Sequence, residues 1–374
     1  MKRILSLILV LASLLTLASC GNKYKPVPST EEESRVVMTL SLDGKKYDVK
    51  YELYRAMFLN YRSDVDGGDS SVWSGENKDE YIARIHEMIV ARVTDIYATL
   101  HHAGTIGIDV YSKSVNSKIE EYIKTSVEGG SYAGETTPGY ESYDAYLSAL
   151  AQMGLNYSVQ ELIFRYSIAL EKITDYYIGT PTEDLIGNIS YSGGALKYTE
   201  EQIRQFYFSD ESVRYISAYV QSQYAGALDR ARSLYNKLKG LEGDDSAVAI
   251  AINSSSISAD ADLNAGSMIG RYVLDNENYG VLTEAAFSTP TGRVSDIIET
   301  TLGEATGYFI IYPIAKSEEH FKAYYEDIVA VYQENEIGRV LTDTQNKLSE
   351  SVVTTSVLDN LDYSSIKYPT VNKK

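Results

Sequence analysis

The chain is poor in the residues that carry most covalent and metal chemistry. Its 374 residues hold one cysteine, four histidines and one tryptophan. A single cysteine excludes an internal disulfide and a multi-cysteine metal cage. The histidines are His86, His101, His102 and His320. His101 and His102 are adjacent, so on a helix they point to different sides and cannot chelate together as an i, i+4 pair would. They read as solvated helix ends, and no metal or cofactor is expected. Basic charge is short as well: 34 Lys and Arg stand against 52 Asp and Glu, a net of −18. That argues against nucleic acid, whose affinity rests on neutralised phosphates. The acidic stretches "EGDDS" and "DADLN" lack EF-hand spacing, and neither a phosphate loop nor a Ser/His/Asp signature is found.

Long apolar runs are missing too, with one exception. After Lys2 and Arg3, Ile4 to Leu17 is almost unbroken apolar sequence. About fourteen residues are too few to span a bilayer comfortably and match the h-region of a signal peptide. The run ends in "LASC", which resembles the bacterial lipobox, and this implies acylation of Cys20. Residues 1–19 are then a signal peptide. Two acyl chains would anchor the protein stably, on the outer face of the bacterial cytoplasmic membrane. Losing Lys2 and Arg3 takes the net charge of the mature chain to −20. Residues 20–36, polar and with two prolines, read as an acylated tether.

What is abundant is tyrosine: 33 residues, against 7 Phe. Tyrosine joins apolar area to a polar tip, which suits either a wet binding surface or a tyrosine-rich core. About 350 mature residues exceed one typical core, so two domains are expected.

Local patterns place the elements. "VVMTLSL" and "YDVKYE" read as strands about an Asp43-Gly44 hairpin turn, with a helix from Glu52. Ile82, Ile85, Ile89, Val93, Ile96, Tyr97 and Leu100 fall at helical steps and predict one long helix capped by Gly104. "GGSYAGETTPGYES" reads as a loop. Ser158 with Glu161, and Thr199 with Gln202, predict capping boxes. From residue 213 the texture changes. "VRYISAYV" alternates with period two as a strand, "AGALDRARSLYNKLKG" is helical, and "GRVSDIIET" and "GYFIIYPI" are strands. From Ser317 the pattern is helical again.

This order and its motifs resemble the PrsA/SurA family of extracytoplasmic foldases. The inserted segment resembles a parvulin, a PpiC-type peptidyl-prolyl isomerase domain, through "VRYISAYV", "LYNKLKG", "AGSMIG", "AAFSTPTGRVS" and "GYFII". The resemblance implies an α+β fold. A mainly helical chaperone domain would come from residues 37–210 and 317–366, with a parvulin-like domain inserted over 211–316. Active parvulins carry histidines at positions matching Ser217 and Phe309, so both are replaced. An Asp or Cys position falls loosely within "INSSSISADAD", near Asp260 and Asp262. By spacing from Phe287, the Met and Phe of the family's proline pocket fall on Asn278 and Leu282. The candidate peptide pocket is Met268, Leu282, Phe287 and Tyr308. Phe309 itself reads as a core residue.

Three functions remain open. One is a membrane-anchored chaperone that binds unfolded or nascent secreted polypeptides, with weak or absent isomerase activity. Another is a working prolyl isomerase of the same architecture. The third is a solute-binding lipoprotein, against which the long helical flanks speak. A homodimer is compatible with each of them.

Overall fold

A computed structural model of the chain describes residues 24–132, 135–183, 189–255, 258–274, 276–302 and 305–371. Residues 1–19, read from the sequence as a signal peptide, and Cys20 lie outside the described residues. The chain begins with β1 (Val36–Leu42), β2 (Lys45–Lys50), α1 (Tyr51–Asp66), α2 (Lys78–Thr105), α3 (Lys113–Glu128), β3 (Gly129–Tyr132), β4 (Glu135–Pro138), α4 (Tyr143–Gln152) and α5 (Tyr157–Ile178). It continues through β5 (Gly179–Glu183), β6 (Ile189–Gly193), α6 (Glu200–Phe208), β7 (Ser212–Gln221), α7 (Ala227–Lys239), α8 (Asp245–Asn253), β8 (Ser258–Asp260) and β9 (Ser267–Gly270). Then come α9 (Asn276–Ser288), β10 (Ile298–Leu302), β11 (Ala305–Pro313), α10 (Glu318–Ala323), α11 (Tyr325–Glu350), β12 (Val353–Thr354) and α12 (Ser356–Asp359). The fold is α+β, largely helical, with small antiparallel sheets. Among the described residues no helix is long and apolar enough to cross a membrane.

The chain forms two compact units, residues 1–175 with 341–374, and residues 176–340. In the first unit, Asp43 (φ 49°) and Gly44 (φ 74°) make the turn between β1 and β2, as the Asp-Gly pair predicts. β12 returns from the far end of the chain to pair with the other edge of β1. Ile85, Ile89 and Val93 of α2 enter a core with Met38, Leu40, Tyr54, Phe58, Trp73 and Leu348. Gly104 is not the cap of α2. The helix runs on to Thr105, and Ile108 N–H bonds Ala103 O at 2.8 Å while Gly107 takes φ 83°. That is a Schellman ending, which glycine suits because it lacks a Cβ. At α5 the cap is Asn156, whose side chain accepts from Val159 N–H at 3.0 Å. Ser158 sits inside the first turn, and Glu161 pairs with Arg165 instead. "GGSYAGETTPG" is not a loop but holds the β3–β4 hairpin.

Residues 24–36 are not a free tether. Tyr24 is buried with Ile119, Ile123, Val127 and Tyr146 in a second core of the first unit. The segment is bonded to the body along its length, as detailed below.

In the second unit β7 is the organising strand. It pairs with β11 on one side and with β8 and β9 on the other, and β10 completes the edge beyond β11, all antiparallel. Its burial alternates residue by residue, so the period-two pattern read from "VRYISAYV" is met. Ile216, Ile310 and Tyr312 face α7 and α8, packing on Leu234, Leu238, Val248 and Ile252. The opposite face packs on α9. The unit is wider than the 211–316 stretch read from the sequence. Ile203, Phe206 and Tyr207 of α6 pack with Phe321, Ile328 and Tyr332 of α10 and α11. Asn335 of α11 also accepts Tyr272 N–H at 3.0 Å, just beyond β9. The Thr199–Gln202 capping box of α6 is present in both directions.

Candidate functional site

The face of the sheet under α9 holds the two positions that the family resemblance singles out. β7 and β11 are antiparallel, with Ser217 opposite Ile311 and Tyr219 opposite Phe309. Side chains two apart share a face, so Tyr215, Ser217 and Tyr219 line up beside Phe309 and Ile311. Leu282, Ala286 and Phe287 of α9 and Ile298 of β10 pack over them. Arg271 covers the ring of Phe287, its guanidinium carbon 4.5 Å from the centroid.

Part of this face is covered by two half-buried rings. Tyr219 and Phe309 stack with centroids 4.3 Å apart and planes 26° apart. Gly307 makes that placement feasible. A Cβ there would lie 2.2 Å from Tyr219 Cε2 and 2.6 Å from Val220 O, well inside contact distance. The tyrosine ring therefore lies over bare backbone. Its burial raises the phenol pKa above the ordinary value, so it stays neutral at physiological pH. The Ser217 hydroxyl makes no side-chain hydrogen bond among the described residues, and its neighbour across the β7–β8 ladder is Asp260. Asp262 is exposed and serves the following turn by accepting Asn264 N–H at 2.8 Å. The side chains of Asp260 and Asn278 are outside those described.

Leu282, Phe287 and Phe309 thus come together, with Ser217 on the same face. Met268 and Tyr308 do not join them. Met268 packs toward Ile203 and Phe206, while its neighbour Ile269 takes the α9 face. Tyr308 packs toward Val220, Ala227 and Ala231. Each is one residue out of phase, and in a strand one residue is the opposite face. Tyr219 and Gly307 were not singled out from the sequence. The alternation in "VRYISAYV" carried the signal for Tyr219, since it lies two residues from Ser217.

The histidines lie elsewhere and are not solvated ends. His101 is 3% exposed, within 2.9 Å of Tyr47 Oη and 3.2 Å of Asp43. His320 is 4% exposed. Its Nε2 is 2.5 Å from Ala265 O and its Nδ1 is 3.0 Å from Tyr207 Oη. A carbonyl can only accept, so Nε2 carries the proton and Nδ1 accepts from the tyrosine. Burial lowers the pKa of His320, and likewise those of His86 and His102. Among the described residues no cluster of three or more His, Cys, Asp or Glu could hold a metal.

An open cavity of about 530 Å³ lies at the far end of α9, lined by Glu284, Pro290, Arg293, Asp296, Lys239 and Glu242 among others. Three of its charges, Glu242, Arg293 and Lys239, satisfy one another. Glu242 accepts from Val294 N–H at 3.0 Å, Arg293 at 2.8 Å and Lys239 at 3.2 Å. These bonds, the backbone one first, hold its pKa down at about 2. The cluster ties the end of α7 to the loop before β10.

Among solved structures the chain resembles the foldase protein PrsA of Lactococcus lactis at 14% identity, covering 89% of this chain and 100% of that one, with a TM-score of 0.23. PrsA of Streptococcus pneumoniae matches at 16% identity over 83% of this chain and 92% of that one, with a TM-score of 0.21. No protein-family model and no curated protein matches.

Proposed function

We propose that the chain is an extracytoplasmic chaperone that binds unfolded secreted polypeptides and lacks useful prolyl isomerase activity. It is held on the outer face of the bacterial cytoplasmic membrane through acylated Cys20. The observation that carries the reading is the stacked Tyr219–Phe309 pair. Rotation about a peptide bond faces a barrier of about 18–20 kcal/mol. Catalysing it takes a cavity that grips the proline ring and polar groups placed for the twisted amide. Here the stacked pair covers part of the face, and both histidine positions are filled by other residues. A solute-binding lipoprotein finds no support in sheets whose described pairings are all antiparallel, because such lobes are built on parallel strands.

Client binding would fall to exposed aromatic surface. Phe208 (40% exposed) and Tyr198 (37%) in the second unit are of that kind, and Arg204 lies 4.9 Å over the Phe208 ring. Amphipathic aromatics bind many sequences with little demand on register. The test is suppression of aggregation when an unfolded client is diluted into the purified mature chain without nucleotide. Suppression near one chain per client is expected, weakened by Phe208→Ala. A client that aggregates at the same rate with and without the chain would overturn the reading.

A further inference from the structure

Only Gly21, Asn22 and Lys23 separate Cys20 from Tyr24, and at Tyr24 the chain is already part of the folded body. Tyr24 is 6% exposed. Its hydroxyl donates to Glu128 at the end of α3 at 2.7 Å. Its ring lies 5.3 Å from that of Tyr143, and the Tyr143 hydroxyl donates to Lys25 O at 2.8 Å. Further along, the Ser29 hydroxyl donates to buried Glu52 and lies 2.9 Å from Ser158 Oγ. Glu33 then pairs with Arg55 of α1 at 2.6 Å. Arg35 O accepts Tyr51 N–H at 2.8 Å, and Glu33 O accepts Glu52 N–H at 3.1 Å. These contacts bind residues 24–35 to α1, α3, α4 and α5 as a strap.

We propose that, with Cys20 acylated, this strap makes the α3–α4 end of the first unit a membrane-facing surface. The inference rests on the acylation proposed above. Four residue steps reach at most about 14 Å, whereas a free tether ending at Val36 would reach about 55 Å. The anchored cysteine therefore keeps Tyr24 within about 14 Å of its lipid, with Glu128 and Tyr143 beside it. The surface suits that place. Tyr143 stacks against Tyr146 at 6.1 Å, and Tyr140, 40% exposed, meets Tyr146 at 5.5 Å. Tyrosines with a wet hydroxyl and an apolar body favour the membrane interface. Glu141 and Asp144 are exposed on the same stretch, so charge gives no attraction to anionic lipid, and the face meets the bilayer because the strap is short. Tyr140, seated on half-buried Tyr143 and buried Tyr146, then faces lipid rather than client.

The test uses the acylated full chain in phosphatidylcholine vesicles that carry a rhodamine headgroup acceptor. Cys20 is the only cysteine and its sulfur would be blocked by a thioether to diacylglycerol, so Glu141→Cys offers a single thiol for a donor dye. Efficient energy transfer is expected. A Gly-Ser insert of about 16 residues between Asn22 and Lys23 raises the root-mean-square reach from about 11 Å to about 25 Å. It leaves the strap and fold intact and should cut transfer at least twofold. Tyr24→Ala should lower transfer in the same direction. Chains that float with the vesicles yet give low transfer, or transfer that the insert does not change, would overturn the strap as a positioning device while leaving acylation standing. Chains that do not float at all would overturn the acylation reading and this inference with it.

Discussion

The sheet of the second unit has two faces of different chemistry. Toward α7 and α8 it presents Ile216, Ala218, Ile310 and Tyr312, packed on Leu234, Leu238, Val248 and Ile252. The single hydroxyl there is fully used: Tyr312 donates to Asp245 at 2.8 Å, which with burial raises its pKa to about 12. Toward α9 the sheet presents Tyr215, Tyr219, Phe309 and Ile311, with Phe287 above them. The first face is a closed aliphatic core and accounts for the fold. The second carries two of the positions singled out from the sequence, and there an aromatic stack laid over glycine covers part of the face.

The largest effect that would separate the faces is Ile310→Ala. Ile310 is 1% exposed, and deleting so buried an aliphatic side chain costs about 2–5 kcal/mol. Denaturant unfolding should show that loss, and a loss under about 1 kcal/mol would mean the aliphatic face is loosely packed. Gly307→Ala comes next. Overpacking of this kind costs about 1–3 kcal/mol, and pairing it with Tyr219→Ala should recover only part, because Val220 O remains 2.6 Å from the new Cβ. Full recovery would place the whole clash on the tyrosine ring.

A smaller effect is the coupling between Tyr219 and Phe309. A double-mutant cycle with Tyr219→Leu and Phe309→Leu should give about 0.5–1.5 kcal/mol. Strict additivity would mean that the stack contributes no more than its separate burials.

The pH response should be the gentlest. His320, His86 and His102 have pKa values lowered in the folded chain, while unfolded imidazoles titrate near about 6.5. Unfolding therefore takes up protons as pH falls below that value, and stability should decline from there toward acid. Above it both states are neutral at these sites and their contribution is constant. His320→Gln should flatten part of the decline, and an unchanged pH profile would remove His320 from it.

Much of the second unit was legible in the sequence. The alternation at residues 213–220, the Thr199–Gln202 box and the order of strands and helices are local signals, and local signals survive in one dimension. The Asp43-Gly44 turn of the first unit belongs with them. One kind of failure was local, at the Gly104 cap, the Ser158–Glu161 box and the β3–β4 pairing; another depended on partners far along the chain. The seating of Tyr24 on α3, the return of β12 to β1 and the burial of His101 and His320 come from contacts that no periodicity records. Met268 and Tyr308 show a third kind of failure. The strand of Tyr308 was read from the sequence and that of Met268 was not, and in both membership of the candidate face turns on a single residue of phase.

The cis/trans relaxation of a proline tetrapeptide in the presence of the purified mature chain tests the central claim most directly. With the Tyr219–Phe309 stack covering part of the face and both histidine positions replaced, the rate should equal that of the peptide alone. A clear acceleration would contradict this account and send the search for catalytic groups to Ser217, Asp260 and Asp262.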